Sequence, residues 1–260
     1  MIRFACLGSG SRGNGLVVEV GDGRHTTRVL VDCGFNCRET VARLARLGLR
    51  PADLCGLIVT HEHSDHLGGV FRFAGRYGIR VFMTHGTLSN VDAAVQRLAA
   101  VDVIDSHQSF RIEGLGVCPF PVPHDAREPV QFVFSDGALR LGLLTDTGHA
   151  TAHVERMLSG VDALMLECNH DLGMLESGGY PVWLRRRIAS PYGHLDNAAA
   201  ARLLAALDRS KLQHLVAAHL SHQNNTAEMA RMALAQAAGC DPGWIGIADQ
   251  DTGFAWRQIR

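Results

Sequence analysis

The sequence predicts an α/β (α+β) protein built as a four-layer αββα sandwich, with residues 1–260 forming one domain. Three observations carry this expectation. Apolar runs rich in β-branched residues alternate with stretches of helical periodicity. Strand-like runs cluster early and mix with helices later, which favours two sheets packed face to face with helices outside. The string GSGSRGN after the first strand leads directly into a second strand-like run, LVVEV. A dinucleotide-binding fingerprint needs a helix at that point, so a doubly wound parallel sheet is set aside.

In chain order, strands are expected at 2–7, 15–20, 28–32, 56–60, 80–83, 101–104, 116–121, 130–135, 139–145, 163–167, 213–218 and 244–247. Helices are expected at 38–47, 67–77, 87–98, 150–158, 181–189, 197–208 and 226–238. The last carries the pattern of a capping box, with Asn225 at the N-cap and Glu228 at N3. No internal repeat, low-complexity tract or Pro/Ser-rich linker divides the chain.

Composition narrows the function classes. Apolar residues make up 47% and charged residues 20%, an ordinary balance for a globular protein. No apolar run approaches the ~18 residues of a membrane helix, and no membrane role is expected. The first residues, MIRFACLGSGSRGNG, lack the apolar region and small-residue cleavage site of a secretory signal. The seven cysteines form no paired Cys-x-x-Cys motifs. Several sit in apolar runs, where a thiol behaves as a small hydrophobe. These features point to a reducing, cytoplasmic setting. Net charge is −1, so no global field draws the chain to nucleic acid. The unusual number is 14 histidines, which calls for a chemical role.

That role concentrates in GLIVTHEHSDHLGG, residues 56–69. An apolar strand ends at Thr60 and potential ligands follow at once. His61 and His63, two apart in an extended turn, can face one ion. Asp65 and His66, adjacent and pointing apart, suit a second. Leu67 is expected to open a helix whose N-terminal dipole favours a nearby carboxylate or anion. Further donors follow later apolar runs: His124 in FPVPHDAREP, Asp146 in LGLLTDTG and His219 in LVAAHLSHQNN. Each alone would pass for a turn residue; three in the same context point to ligands. The mixed nitrogen and oxygen donors suit zinc or manganese better than calcium or magnesium, with iron a third option.

The signature THEHSDHLGG resembles the metallo-β-lactamase superfamily, and the likeness extends over nearly the whole chain. LGSGSRGN, LVDCG, HDAREP, TDTG, ECNHD, GHLDN and HLSHQNN resemble more closely its YycJ/WalJ-type branch of cytoplasmic bacterial metallohydrolases, related to ribonuclease Z, ribonuclease J and PhnP-type phosphodiesterases. The resemblance implies two divalent ions: one on His61, His63 and His124, the other on Asp65, His66 and His219, with Asp146 bridging. It implies catalytic roles for Asp65 and for His194. His194 lies just before an alanine-rich helix, and a His in the corresponding segment of the relatives assists at the scissile phosphate. The activity implied is a phosphodiesterase or nuclease, DNA exonuclease-like, in which hydroxide held between the ions attacks phosphorus. Its substrate partner is nucleic acid.

Other residues carry weaker claims. Asp32 ends a strand and resembles a carboxylate that orients a ligand; a turn role before Gly34 explains it equally well. Asn169 and His170 follow another strand end and suggest substrate contact or support of a ligand. Arg185, Arg186 and Arg187 could grip flanking phosphates or form a solvated helix face, and Trp183 could stack on a base or simply pack. The alternative activity is a thioester or lactone hydrolase of the glyoxalase II type, although PVPHDAREP does not match the GHTPGH-like string of that group. A flavodiiron-type redox protein would carry Glu where this chain has His63.

Overall fold

The computed structural model describes residues 1–21, 23 and 25–260. The first half runs β1 (Ile2–Gly8), β2 (Gly15–Gly21), β3 (Thr26–Val31), α1 (Cys37–Arg46), β4 (Gly56–Ile58), α2 (Ser64–Leu67), α3 (Val70–Tyr77), β5 (Val81–Thr84), α4 (His85–Ser89), α5 (Ala93–Gln96) and β6 (Val101–Ile104). The second half runs β7 (Phe110–Ile112), β8 (Leu115–Pro121), β9 (Val130–Ser135), β10 (Arg140–Leu144), α6 (Ala152–Leu158), β11 (Ala163–Glu167), α7 (Leu172–Ser177), α8 (Val182–Ile188), α9 (Asn197–Ala206), β12 (His214–Ala218), α10 (Ala227–Ala238), β13 (Gly246–Ile247) and β14 (Phe254–Ile259).

These strands form two seven-stranded sheets, ordered β14-β1-β2-β3-β4-β5-β6 and β13-β12-β11-β10-β9-β8-β7. Both are mixed. β3 through β6 run parallel, as do β10 through β13, and antiparallel pairings complete each sheet. Three apolar clusters define the layers. Phe4, Val18, Val29, Phe132, Phe134 and Met165 fill the space between the sheets. Leu164, Leu166, Leu203, Leu204 and Leu234 lie between the second sheet and α6, α9 and α10. Leu44, Phe71, Phe73 and Leu57 lie between the first sheet and α1 and α3. The αββα expectation therefore stands. Central strands buried on both faces explain why their sequences read as continuous apolar runs rather than alternations. No helix among the described residues is long and apolar enough to cross a membrane.

Several boundaries move, each for a local reason. The helix expected at 67–77 starts at Ser64, with His63 as its N-cap, and breaks at Gly68–Gly69 before α3. A Cβ on Gly69 would lie 1.9 Å from the Phe35 carbonyl oxygen, so glycine there admits the neighbouring loop. The helix expected at 87–98 is two short ones, because Asp92 caps a new start by accepting from Ala94 N–H at 2.7 Å. The capping residue of α10 is Thr226, not Asn225. Thr226 Oγ1 accepts from Met229 N–H at 3.1 Å. Asn225 instead donates to the Cys168 carbonyl at 2.7 Å and to Asn197 Oδ1 at 2.9 Å. Residues 242–244 form a 3₁₀ turn, leaving only 246–247 of the expected strand 244–247. The strands β7 and β14 and the helix α7 were not expected.

Candidate metal centre

Strand direction decides where the chemistry collects. β1, β3 and β4 point their C-terminal ends the same way, and so do β8, β10, β11 and β12. The polar residues after these ends meet at one edge of the sandwich. Asp32, Asp146 and His219 hold left-handed backbone angles, with φ of 59°, 50° and 54°. Side chains other than glycine rarely adopt this region, and such strain gathers where position matters more than stability. All three sit one or two residues past a strand and turn sharply into the cluster.

The HEHSDH loop is fixed from beneath. Gly34 must be glycine because a Cβ would fall 1.8 Å from the Asp65 carbonyl oxygen. Asn14 clamps the same residue from the other side: its backbone N–H donates to Asp65 O at 2.8 Å, and its Nδ2 lies 3.1 Å from His66 Nε2. Asp32 Oδ2 accepts from His66 Nδ1 at 2.8 Å, while Oδ1 accepts from Thr60 N–H at 2.9 Å. With Nδ1 so engaged, His66 presents Nε2 to the cluster, 3.1 Å from Asp146 and 3.5 Å from Asp65. His124 is oriented likewise: its Nδ1–H donates to Gly193 O at 3.0 Å, and its Nε2 lies 3.2 Å from His63 Nδ1. Thr60 Oγ1 lies 3.0 Å from His61 Nδ1. Partners of this kind fix which ring nitrogen a histidine offers.

Donor atoms of His61, His63 and His124 lie within 4.8 Å of one another, as do those of Asp65, His66 and His219. The same spacing unites His61, His66 and Asp146, and also Asp146, Glu167, His194 and His219. Asp146 thus stands between the two sides. Nε2 of His61 is buried without a hydrogen-bond partner among the described residues, and Asp146 Oδ2 has only the contact to His66 Nε2 at 3.1 Å. An orphaned buried acceptor is costly and asks for something to fill its place.

Charge makes the same request. Asp32, Asp65, Asp146 and Glu167 pair with histidines only; none meets a lysine or arginine among the described residues. Burial works against the Asp146 anion, yet His219 and His66 hold its carboxyl well below the usual range. Burial likewise opposes the His219 cation, but Asp146, Asp65 and Glu167 raise it to about 10. His66 is raised against its own burial by Asp146, Asp32 and Asp65. His61 is pushed well down by burial and by the neighbouring His66. Without ions, protons on His66 and His219 offset part of the charge of the four carboxylates; divalent cations would displace those protons. The donor set therefore fits transition-metal ions.

Glu167 is the participant that the sequence reading missed. It is fully buried at the end of β11. Its Oε2 accepts from the backbone N–H groups of Thr147 and Leu195, at 2.9 and 3.2 Å. Its Oε1 accepts from His194 Nδ1 at 2.8 Å and lies 3.3 Å from His219 Nδ1. Burial pushes this carboxyl up, but His194 and His219 bring it to about 2. Its one signal in the sequence is an acid closing the otherwise apolar run ALMLE. Asn14 was missed too, being one polar residue in a glycine-rich loop.

A cleft of about 410 Å³ opens over the cluster, lined among others by Asp65, Asp146, His194 and His219. Asn169 also lines it and donates to His219 O at 3.0 Å. His170 does not line it: the residue is 1% exposed and packs below, which removes substrate contact as its role. Of the arginine run, only Arg187 reaches the cleft.

Known proteins resemble this chain in sequence and fold. A model of the beta-lactamase superfamily domain matches residues 27–220. The chain is 34% identical to an exodeoxyribonuclease YycJ of Bacillus anthracis over 90% of its length and 88% of that protein. It is 31% identical to an exodeoxyribonuclease WalJ of Streptococcus pneumoniae over 94% of its length and 91% of that protein. The crystal structure of the metallo-beta-lactamase fold protein YhfI from Bacillus subtilis superimposes with a TM-score of 0.71 at 17% identity, covering 99% of this chain and all of that one. By strand order, layer structure and sequence, the chain belongs to the beta-lactamase superfamily, in the family of the YycJ and WalJ proteins.

Proposed function

We propose that this metal-dependent hydrolase is a dinuclear phosphodiesterase acting on nucleic acid in the manner of a DNA exonuclease, with residues 1–260 working as one domain in the cytoplasm. The observation that carries the reading is the Glu167–His194 pair beside the donor cluster, at the wall of an open cleft. His61, His63 and His124 would hold one ion, Asp65, His66 and His219 the other, and Asp146 would bridge. When bound, two zinc, manganese or iron ions supply positive charge for the phosphoryl oxygens and a water acidified toward neutrality.

The chain's own residues do the rest. Glu167 accepts the Nδ1 proton of His194, which leaves Nε2 as the ring atom without a hydrogen bond among the described residues. Nε2 would donate a proton to a leaving oxygen, which acyl chemistry with a thiolate leaving group does not need. Asp32 and Asn14 keep His66 and Asp65 in place while substrate enters. The names of the relatives, exodeoxyribonucleases at 34% and 31% identity, support nucleic acid over a thioester. All seven cysteines are free, which accords with a reducing compartment.

The test is a substrate panel on purified protein of measured metal content: single- and double-stranded DNA, RNA, bis-p-nitrophenyl phosphate and a thioester. Metal-dependent cleavage of the phosphodiesters, with DNA preferred, is expected. Efficient thioester hydrolysis without diester cleavage would overturn the reading in favour of the glyoxalase II-type alternative.

A further inference from the structure

A histidine that offers one ring nitrogen to an ion needs a partner for the other. His66 has Asp32 for this, and His124 has Gly193 O. The partner of His63 is the Asp125 carbonyl, which accepts from Nε2 at 3.2 Å and leaves Nδ1 facing His124 Nε2. Packing does less of this work for His63 than for its neighbours. Its side chain is 27% exposed, whereas those of His66 and His124 are fully buried. The aim of His63 therefore depends on how firmly the loop carrying Asp125 is held.

That loop is seated on the end of α8 and the turn after it. Asp125 N–H donates to Tyr192 O at 3.0 Å. The turn is closed tightly against the helix, because a Cβ on Gly193 would lie 2.1 Å from the Ile188 carbonyl oxygen. Arg187, in the last turn of α8, completes the seat: its Nε donates to Asp125 Oδ2 at 2.6 Å. The other carboxylate oxygen lies 3.5 Å from His124 Nε2 and 3.7 Å from His63 Nε2. An ion pair as open to water as this one adds little to stability. A short charge-assisted bond does fix a direction, which a planar guanidinium does better than an ammonium.

We infer that Arg187 is a positioning residue for the ion on His61, His63 and His124, acting through Asp125 on the loop that orients His63 and carries His124. This rests on the assignment of that ion in the dinuclear reading above. The competing role for Arg187 is a direct grip on a substrate phosphate from the cleft wall, which makes no demand on Asp125. The contacts favour positioning, because the residue that Arg187 holds is the one whose carbonyl meets a donor histidine and whose chain neighbour is another. Arg186, next to it on the helix, is exposed and does not line the cleft, so it serves as the control.

The experiment is a competitive zinc titration against a chromophoric chelator, on the whole chain. It compares wild type with Arg187→Ala, Arg187→Lys, Asp125→Ala, the double alanine variant, Arg186→Ala and His63→Ala. Arg187→Ala should weaken one of the two ions about tenfold or more, the usual scale for losing a partner that supports a ligand, and leave the other as it was. Asp125→Ala should do the same. The double variant should lose no more than the worse single one, because both changes break one link. Arg187→Lys should recover part of the loss, and Arg186→Ala should match wild type. Turnover of bis-p-nitrophenyl phosphate lost in Arg187→Ala should return with excess zinc, with KM then within about twofold of wild type. If Arg187→Ala does not fold, Asp125→Ala and Arg187→Lys carry the same test. Wild-type zinc affinity in Arg187→Ala together with a raised KM for DNA makes the residue a phosphate grip and overturns the inference. So do additive losses in the double variant, or equal weakening of both ions. Two ions retained at wild-type affinity in His63→Ala would overturn the parent assignment as well, and that variant alone reports it.

Discussion

At the end of β11 a run of apolar side chains closes on Glu167, and nothing near it in sequence announces why. Three-dimensional contact supplies the reason, because His194 and His219 come from segments 27 and 50 or more residues further on. The candidate donors were legible for the opposite reason: His61, His63, Asp65 and His66 are crowded into one loop, where coincidence is a poor explanation. Two variants test the division of labour. His194→Ala should lower DNA turnover about 100-fold, the scale of losing one acid catalyst, with two ions still bound. Glu167→Gln should act in the same direction but less, since the amide keeps an acceptor for Nδ1. The nitrophenyl diester, whose leaving group needs little protonation, should be partly spared in both. Loss of metal in His194→Ala, read by elemental analysis, would make His194 a ligand and reopen the assignment of His219.

Among the elements, those whose patterns reflect burial were readable, and those made by pairing alone were not. β3, β10, β11 and β12 are central, apolar and fall close to their expected limits. β14 is an edge strand with mixed exposure, FAWRQI, stabilised by pairing with β1. β7 has three residues. Neither carries a period that a sequence can display. A polar row across the first sheet shows the same dependence on pairing. Arg3, Glu19 and Arg28 are register partners on β1, β2 and β3, and Arg3 also lies 4.2 Å over the Trp256 ring on β14. Burial opposes the Glu19 anion, but bonds from Arg3 and Arg28 hold its carboxyl below the usual value. A lowered folded-state pKa means the stabilisation is present above the unfolded value, near 4.5, and is lost as pH falls through the folded one. Glu19→Gln should therefore cost about 2 kcal/mol at neutral pH. Denaturation curves of the two proteins should converge as the pH drops below that value; a gap that persists in acid would mean the loss is one of packing. Gly34→Ala is the corresponding test at the loop. The added Cβ falls on the Asp65 carbonyl, so metal affinity should drop even though no donor is changed, which metal titration would detect.

Over the whole molecule, the two sheets are held together by apolar packing, yet their shared edge collects Asp32, Asp65, Asp146 and Glu167, which pair with no lysine or arginine among the described residues. Asp65, Asp146 and His219 reach it from opposite sheets, with Asp65 Oδ2 3.4 Å from His219 Nε2. Ions at this edge would therefore join the two halves of the sandwich as well as serve chemistry. A ligand that binds only the folded state stabilises it in proportion to the logarithm of its free concentration, by about 2.7 kcal/mol at one hundred times Kd. Chelated protein should thus stay folded on its apolar layers but melt at a lower temperature. Adding zinc or manganese should raise the melting temperature and restore activity together. Elemental analysis after dialysis should give two ions per chain. Binding should release protons, because His66 and His219 carry them in the ion-free state. Calorimetry in buffers of different ionisation enthalpy measures that release. A single ion per chain with full activity would remove Asp146 from its bridging place, and binding without proton release would mean that other side chains hold the metal.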